Sequence, residues 1–140
     1  MKDVDDCWTF AELADEDEVP TLLRIRNLEP VAGQSERLDV FWEYEPEGDQ
    51  RMPNERELSK MNECERLMTK FEVESGSCSL VGVITSEGIR HWILYSSNVE
   101  EFGNFVNETF PEYPPFPVEI EYETDSEWTQ YFEFAELLNS

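Results

Sequence analysis

Residues 117–131, PVEIEYETDSEWTQY, constrain the fold more than any other stretch. Val118, Ile120 and Tyr122 alternate with Glu119, Glu121 and Glu123. A period of two is that of a strand, here with one apolar face and one row of carboxylates. The period then changes: Trp128, Tyr131, Phe132, Ala135 and Leu138 recur at helical spacing, behind Asp125 or Ser126 as a side-chain cap. An acidic strand running into an aromatic helix requires a sheet for the first and a core for the second.

The preceding residues supply both. Residues 7–14 (CWTFAELA) read as a strand, 15–20 (DEDEVP) as an acidic turn and 21–27 (TLLRIRN) as the returning strand, so that residues 7–30 form an N-terminal hairpin. Residues 37–45 (RLDVFWEYE) alternate again, with Leu38, Val40, Trp42 and Tyr44 on one face and Asp39, Phe41, Glu43 and Glu45 on the other. After the Gly- and Pro-bearing loop 46–54, Asn54 is placed to cap a helix over 54–73, whose stripe is Leu58, Met61, Glu65 or Cys64, Met68 and Phe71. Residues 77–85 (SCSLVGVIT) and 89–96 (IRHWILYS) flank a Ser-Glu-Gly turn and are apolar nearly throughout, which predicts strands covered on both faces. An amphipathic helix over 97–109 places Val99, Phe102, Phe105 and Val106 inward, and the proline-rich 110–117 connector cannot continue it.

From Arg37 the order is strand, helix, strand, strand, helix, strand and terminal helix, all within one domain of 140 residues. Repeated strand–helix–strand halves predict an α+β ferredoxin-like sandwich (βαββαβ) over residues 37–124, with a C-terminal helix over 125–138. The first and last strands of that topology are neighbours. Asp39, Glu43, Glu45, Glu119, Glu121 and Glu123 then share one sheet face, the candidate binding surface.

Charge indicates what such a surface would attract. Ten Lys and Arg against 33 Asp and Glu give a formal net charge of −23, and no Lys or Arg follows Arg90. That field repels nucleic acid and anionic membranes and favours a basic protein partner. No apolar run reaches the ~20 residues of a membrane span. The acidic MKDVDDCWTF has no signal-peptide core. Three scattered cysteines, Cys7, Cys64 and Cys78, suit reduced thiols in the cytoplasm.

Motifs for chemistry are sparse. His91 is the single histidine and lies in an apolar strand, which argues for a packed structural role and against zinc. No nucleophile elbow, phosphate loop or dinucleotide glycine pattern is present. A Cys78–His91 dyad would need an electropositive setting that this chain does not offer. Asp15–Glu18 lacks the glycine and ligand spacing of a calcium loop. No metal or cofactor is expected. Trp128 and Tyr131 are candidate interface aromatics, although aromatics at helical spacing more often face a core. Phe134 and Leu137 lie off the stripe and would suit self-association, as in a homodimer.

Several pieces, in order, resemble a bacterial family known as domain of unknown function 695. They are Trp8, Val19-Pro20, the strand from Val40 to Tyr44, Leu80 to Thr85, His91 to Tyr95, and Asp125 to Tyr131. The last is similar to the family's Asp-x-x-Trp-x-x-Tyr signature, with Ser126 where Pro often stands. The family is similar in pattern to the B-type regulator of ribonuclease E activity, a small acidic protein that binds and inhibits that nuclease. The resemblance implies a non-enzymatic cytoplasmic binding protein and transfers no catalytic residue. An immunity protein against a basic toxin would have the same properties. The rival expectation is a ligand-binding or hydrolytic domain with a polar pocket between sheet and helices, around His91, Cys78 and Tyr95.

Overall fold

The computed structural model describes residues 8–14, 20–46, 52–86, 88–112 and 115–138. Six strands and three helices follow one another as β1 (Trp8–Ala14), β2 (Pro20–Arg26), β3 (Glu36–Glu43), α1 (Glu55–Ser75), β4 (Cys78–Ser86), β5 (Ile89–Ser96), α2 (Val99–Thr109), β6 (Val118–Thr124) and α3 (Thr129–Leu138). The chain is therefore α+β. Its strands form a single antiparallel sheet in the order β1-β2-β4-β5-β3-β6. The acidic turn at 15–19 lies outside the described residues, but β1 and β2 pair along their full lengths, Trp8 opposite Arg26 and Ala14 opposite Pro20.

The helix boundaries follow local chemistry. Asn54 accepts a hydrogen bond from the Glu57 N–H at 2.8 Å, while Glu55 and Glu57 place negative charge at the positive end of the α1 dipole. Gly76, at φ 66°, closes α1 by donating to the Glu72 carbonyl, a left-handed cap that glycine adopts without strain. Asn98 caps α2 through the Glu101 N–H, so that helix starts at Val99 and not at Ser97.

The apolar periods place the core in two layers. On one face, Leu38, Val40 and Trp42 of β3 and Trp92 and Leu94 of β5 are buried with Met61, Cys64 and Met68 of α1 and with Phe102 and Phe105 of α2. On the other, Leu23, Ile25, Val81, Ile93 and Tyr95 are buried with Trp128 and Tyr131 at α3. A bulge between Leu80 and Gly82 in β4 shifts its alternation, so that Val83 returns to the first layer with Leu80 while Val81 lies in the second. Helices on both sides of the sheet explain why the central strands β4 and β5 are apolar at consecutive positions.

Two sequence expectations are corrected here. β3 ends at Glu43, so Glu45 lies beyond the strand and takes no part in the paired face, although it is exposed. Trp128 and Tyr131, candidates for an interface, are buried. Trp128 also precedes α3: it has φ 56°, and its N–H bonds the Asp125 carbonyl in the turn that starts the helix. The Leu137 side chain lies outside the described ones, and Phe134 packs against the second layer.

Candidate functional site

The pairing of β3 with β6 sets the candidate face. Asp39 lies opposite Glu121, Phe41 opposite Glu119 and Arg37 opposite Glu123, while β5 places His91 against Phe41 from the other side. Directly opposed residues project from the same side of a sheet. Asp39, Glu43, Glu119, Glu121 and Glu123 therefore share a face beside α3, and Glu45 does not belong to it.

Opposed carboxylates repel unless compensated. Arg37 compensates much of this row. Its guanidinium bonds Asp39 at 3.0 Å and Glu123 at 2.7 Å and lies 3.7 Å from Asp125. On the other side of Asp39, His91 Nε2 is 2.8 Å from Oδ1, and Phe41 stacks on the imidazole at 4.3 Å between centroids. Asp39 is only 6% exposed. Burial alone would raise its pKa, but the hydrogen bonds from His91 and Arg37 outweigh it and the net shift is downward. Asp39 is thus a structural anion. Glu43, Glu119 and Glu121 remain exposed, as does Glu123 apart from its bond to Arg37.

A second chain of bonds ties the face to α3. The Tyr95 hydroxyl donates to Asp125 Oδ2 at 2.7 Å, and Asp125 accepts the N–H groups of Thr129 and Gln130. Trp128 Nε1 donates to the Gln34 carbonyl at 2.8 Å. The Tyr131 hydroxyl donates to the Arg26 carbonyl at 2.7 Å, and its N–H donates to the Tyr95 hydroxyl. Asp125, Trp128 and Tyr131 are all spent on fastening the helix to the sheet.

A profile described as "Family of unknown function (DUF695)" matches residues 8–135, from the first strand into the last helix. The chain belongs to this family. In this DUF695 chain the Asp-x-x-Trp-x-x-Tyr residues are the fastening just described. No curated protein and no solved structure matches the chain.

The face holds the orienting half of an acid–base pair, Asp39 with His91. Among the described residues, no hydroxyl or thiol hydrogen-bonds to that imidazole, and no group of three or more His, Cys, Asp or Glu is arranged around a metal position. The expected cluster of His91, Cys78 and Tyr95 does not form. Cys78 opposes Ser96 and packs under α1 and α2, whereas His91 opposes Ile84 on the other face. Burial, with Glu72 and Glu101 nearby, pushes the Cys78 thiol up to about 12, far from a reactive thiolate. No helix among the described residues is long and apolar enough to cross a membrane.

Sequence reasoning overlooked Arg37 and gave His91 no partner. Both signals were present: Arg37 has the same parity as Asp39 in an alternating strand, and His91 is a polar residue within an apolar one.

β6 forms one edge of the sheet. Its acidic side borders a depression of 430 Å³ lined by Arg37, Asp39, Glu121 and Glu123. Its apolar side borders a cleft of 300 Å³ in which Ile120 and Tyr122 meet Val99, Phe102 and Val106.

Proposed function

We propose that this DUF695 domain binds a basic protein partner through β6, in the manner of an inhibitor or immunity-type regulator. The observation that carries the reading is the edge itself. β6 pairs on one side only, is exposed along six of its seven residues, and offers glutamates to one face and Ile120 and Tyr122 to the other. An added strand satisfies the free backbone groups of such an edge. Cationic side chains would meet Glu119, Glu121 and Glu123, and apolar ones would enter the cleft beside α2. A second copy added antiparallel through β6 would set glutamate against glutamate, so the edge disfavours a homodimer of that kind.

The strand order β4-β5-β3-β6, with α1 and α2 on one face, supports reading the core as ferredoxin-like. Likeness to the B-type ribonuclease E regulator, a cytoplasmic setting and a non-enzymatic role all belong to this same reading.

The test is capture on immobilised protein at low salt, comparing the wild type with a Glu119→Lys, Glu121→Lys, Glu123→Lys variant. A basic protein retained by the wild type, released by a salt gradient and lost from the variant is the expected result. Equal retention on both would remove β6 from the interface.

A further inference from the structure

On the opposite sheet face and at the opposite edge lies a groove that the protein-binding reading does not use. It encloses 440 Å³ beside β1 and β2, within the ~300–1,000 Å³ of small-ligand sites. Its walls include Phe10, Leu22 and Val83, and Phe10 is 68% exposed. Two guanidiniums, Arg24 and Arg90, also line it, in a chain whose net charge is −23.

These two arginines differ. Arg24 forms two bonds with Glu65, at 3.1 and 2.5 Å, and Glu65 also accepts the Trp92 indole N–H. Arg90 is 92% buried on its 8% exposure, and its described hydrogen bond is from Nε to Thr85 Oγ1 at 2.9 Å. Among the described residues no carboxylate lies within ion-pair distance of it, although Glu65 and Tyr44 act on it at longer range. Glu12, the acidic residue in the lining, is exposed and pairs with neither arginine. Burial, and then the like charge of Arg24, lowers the Arg90 pKa. A buried guanidinium is costly unless paired. Five N–H donors in a planar fork match a carboxylate.

We propose that this groove binds a small monocarboxylate with an apolar or aromatic tail. The carboxylate pairs with the Arg90 fork, and the tail lies on Phe10 and Leu22. A single negative charge suits the site better than a phosphate dianion, because Glu12 and Glu65 stand close by.

The probes are 3-phenylpropionate and its neutral amide, titrated into the full chain while the methyl resonances of Leu22, Leu23 and Val83 are followed by NMR. The acid should shift these methyls and bind at least tenfold more tightly than the amide. Arg90→Met, which keeps length and loses charge, should abolish that preference, and Arg90→Lys should retain part of it. Equal affinity for acid and amide, absence of binding at millimolar acid, or shifts confined to other methyls would overturn the site. If Arg90→Met does not fold, the acid–amide comparison on the wild type decides alone. A negative outcome leaves the β6 reading intact, since that surface lies at the other end of the sheet.

Discussion

The Tyr95 and Trp128 rings stack 4.3 Å apart and 11° from parallel, in the layer between sheet and α3. The Tyr95 hydroxyl, beyond the stack, bonds both Asp125 and the Tyr131 N–H. Tyr95→Phe keeps the stack, takes one of two hydrogen bonds from Asp125 Oδ2, which retains the Gln130 N–H, and strands the buried Tyr131 N–H. It should cost about 1–3 kcal/mol in urea unfolding. Trp128→Ala removes the stack and the Gln34 bond together and should cost about 3–5 kcal/mol. An unchanged midpoint in either variant would mean that α3 is not held in this way.

Arg37 sits among Asp39, Glu123 and Asp125, so Arg37→Met leaves three carboxylates facing one another. A loss of about 1–3 kcal/mol is expected, larger at low ionic strength and partly restored by salt. Arg66→Met breaks only a solvent-exposed pair with Glu63 and should leave the unfolding midpoint unchanged. Equal effects from the two would contradict a special role for Arg37.

Cys64 and Cys78 are buried, and burial beside glutamates pushes both thiols up to about 12. At pH 8 both are held almost wholly as thiols. Mass spectrometry after brief alkylation should find both unmodified in the native protein and both modified in urea. Native labelling of Cys78 would place it elsewhere than under α1 and α2.

Element types were legible where a clean period, joined in the helices by a cap, marked them. The alternation of Val118–Glu123 marks a strand, although its apolar side, expected to be buried, is exposed at Ile120 and Tyr122, and the helix after Asn54 carries both its stripe and its cap in the sequence. What was not legible depended on relations between strands. Glu45 shares the parity of Asp39, but parity does not show that β3 ends at Glu43. Trp128 has the spacing of a helical residue, yet it occupies the left-handed turn before α3, where its indole N–H bonds the Gln34 carbonyl. Arg24 and Arg26 alternate with apolar residues in the returning strand, and nothing in that period shows that they bond Glu65 and Glu72 on α1. Periodicity assigns a side chain to a face and is silent about which element covers that face. For the same reason the carboxylate row was visible in sequence, and the parity of Arg37 with Asp39 put it on that face without showing that it bonds across to Glu123.

Acid should reveal which carboxylates the fold depends on. Burial would raise the pKa of Asp125, but the Tyr95 hydroxyl, the N–H groups of Gln130 and Thr129, and Arg37 carry it below its ordinary 3.8, and Asp39 is lowered similarly by His91 and Arg37. A carboxylate with a depressed folded pKa binds its proton more readily in the unfolded chain. Its stabilisation is therefore complete above 3.8 and is lost as pH falls through the lower folded value. Relief of the repulsion among the exposed glutamates acts in the opposite direction as acid is added, so the two effects must be separated. That relief is common to wild type and variant and largely cancels in the difference between them. The stability advantage of the wild type over Asp125→Asn, measured by urea unfolding, should be constant from pH 7 to about 5 and shrink steadily below 3.8. An advantage that is flat down to pH 2 would show that Asp125 contributes through its shape and cap geometry and not through its charge.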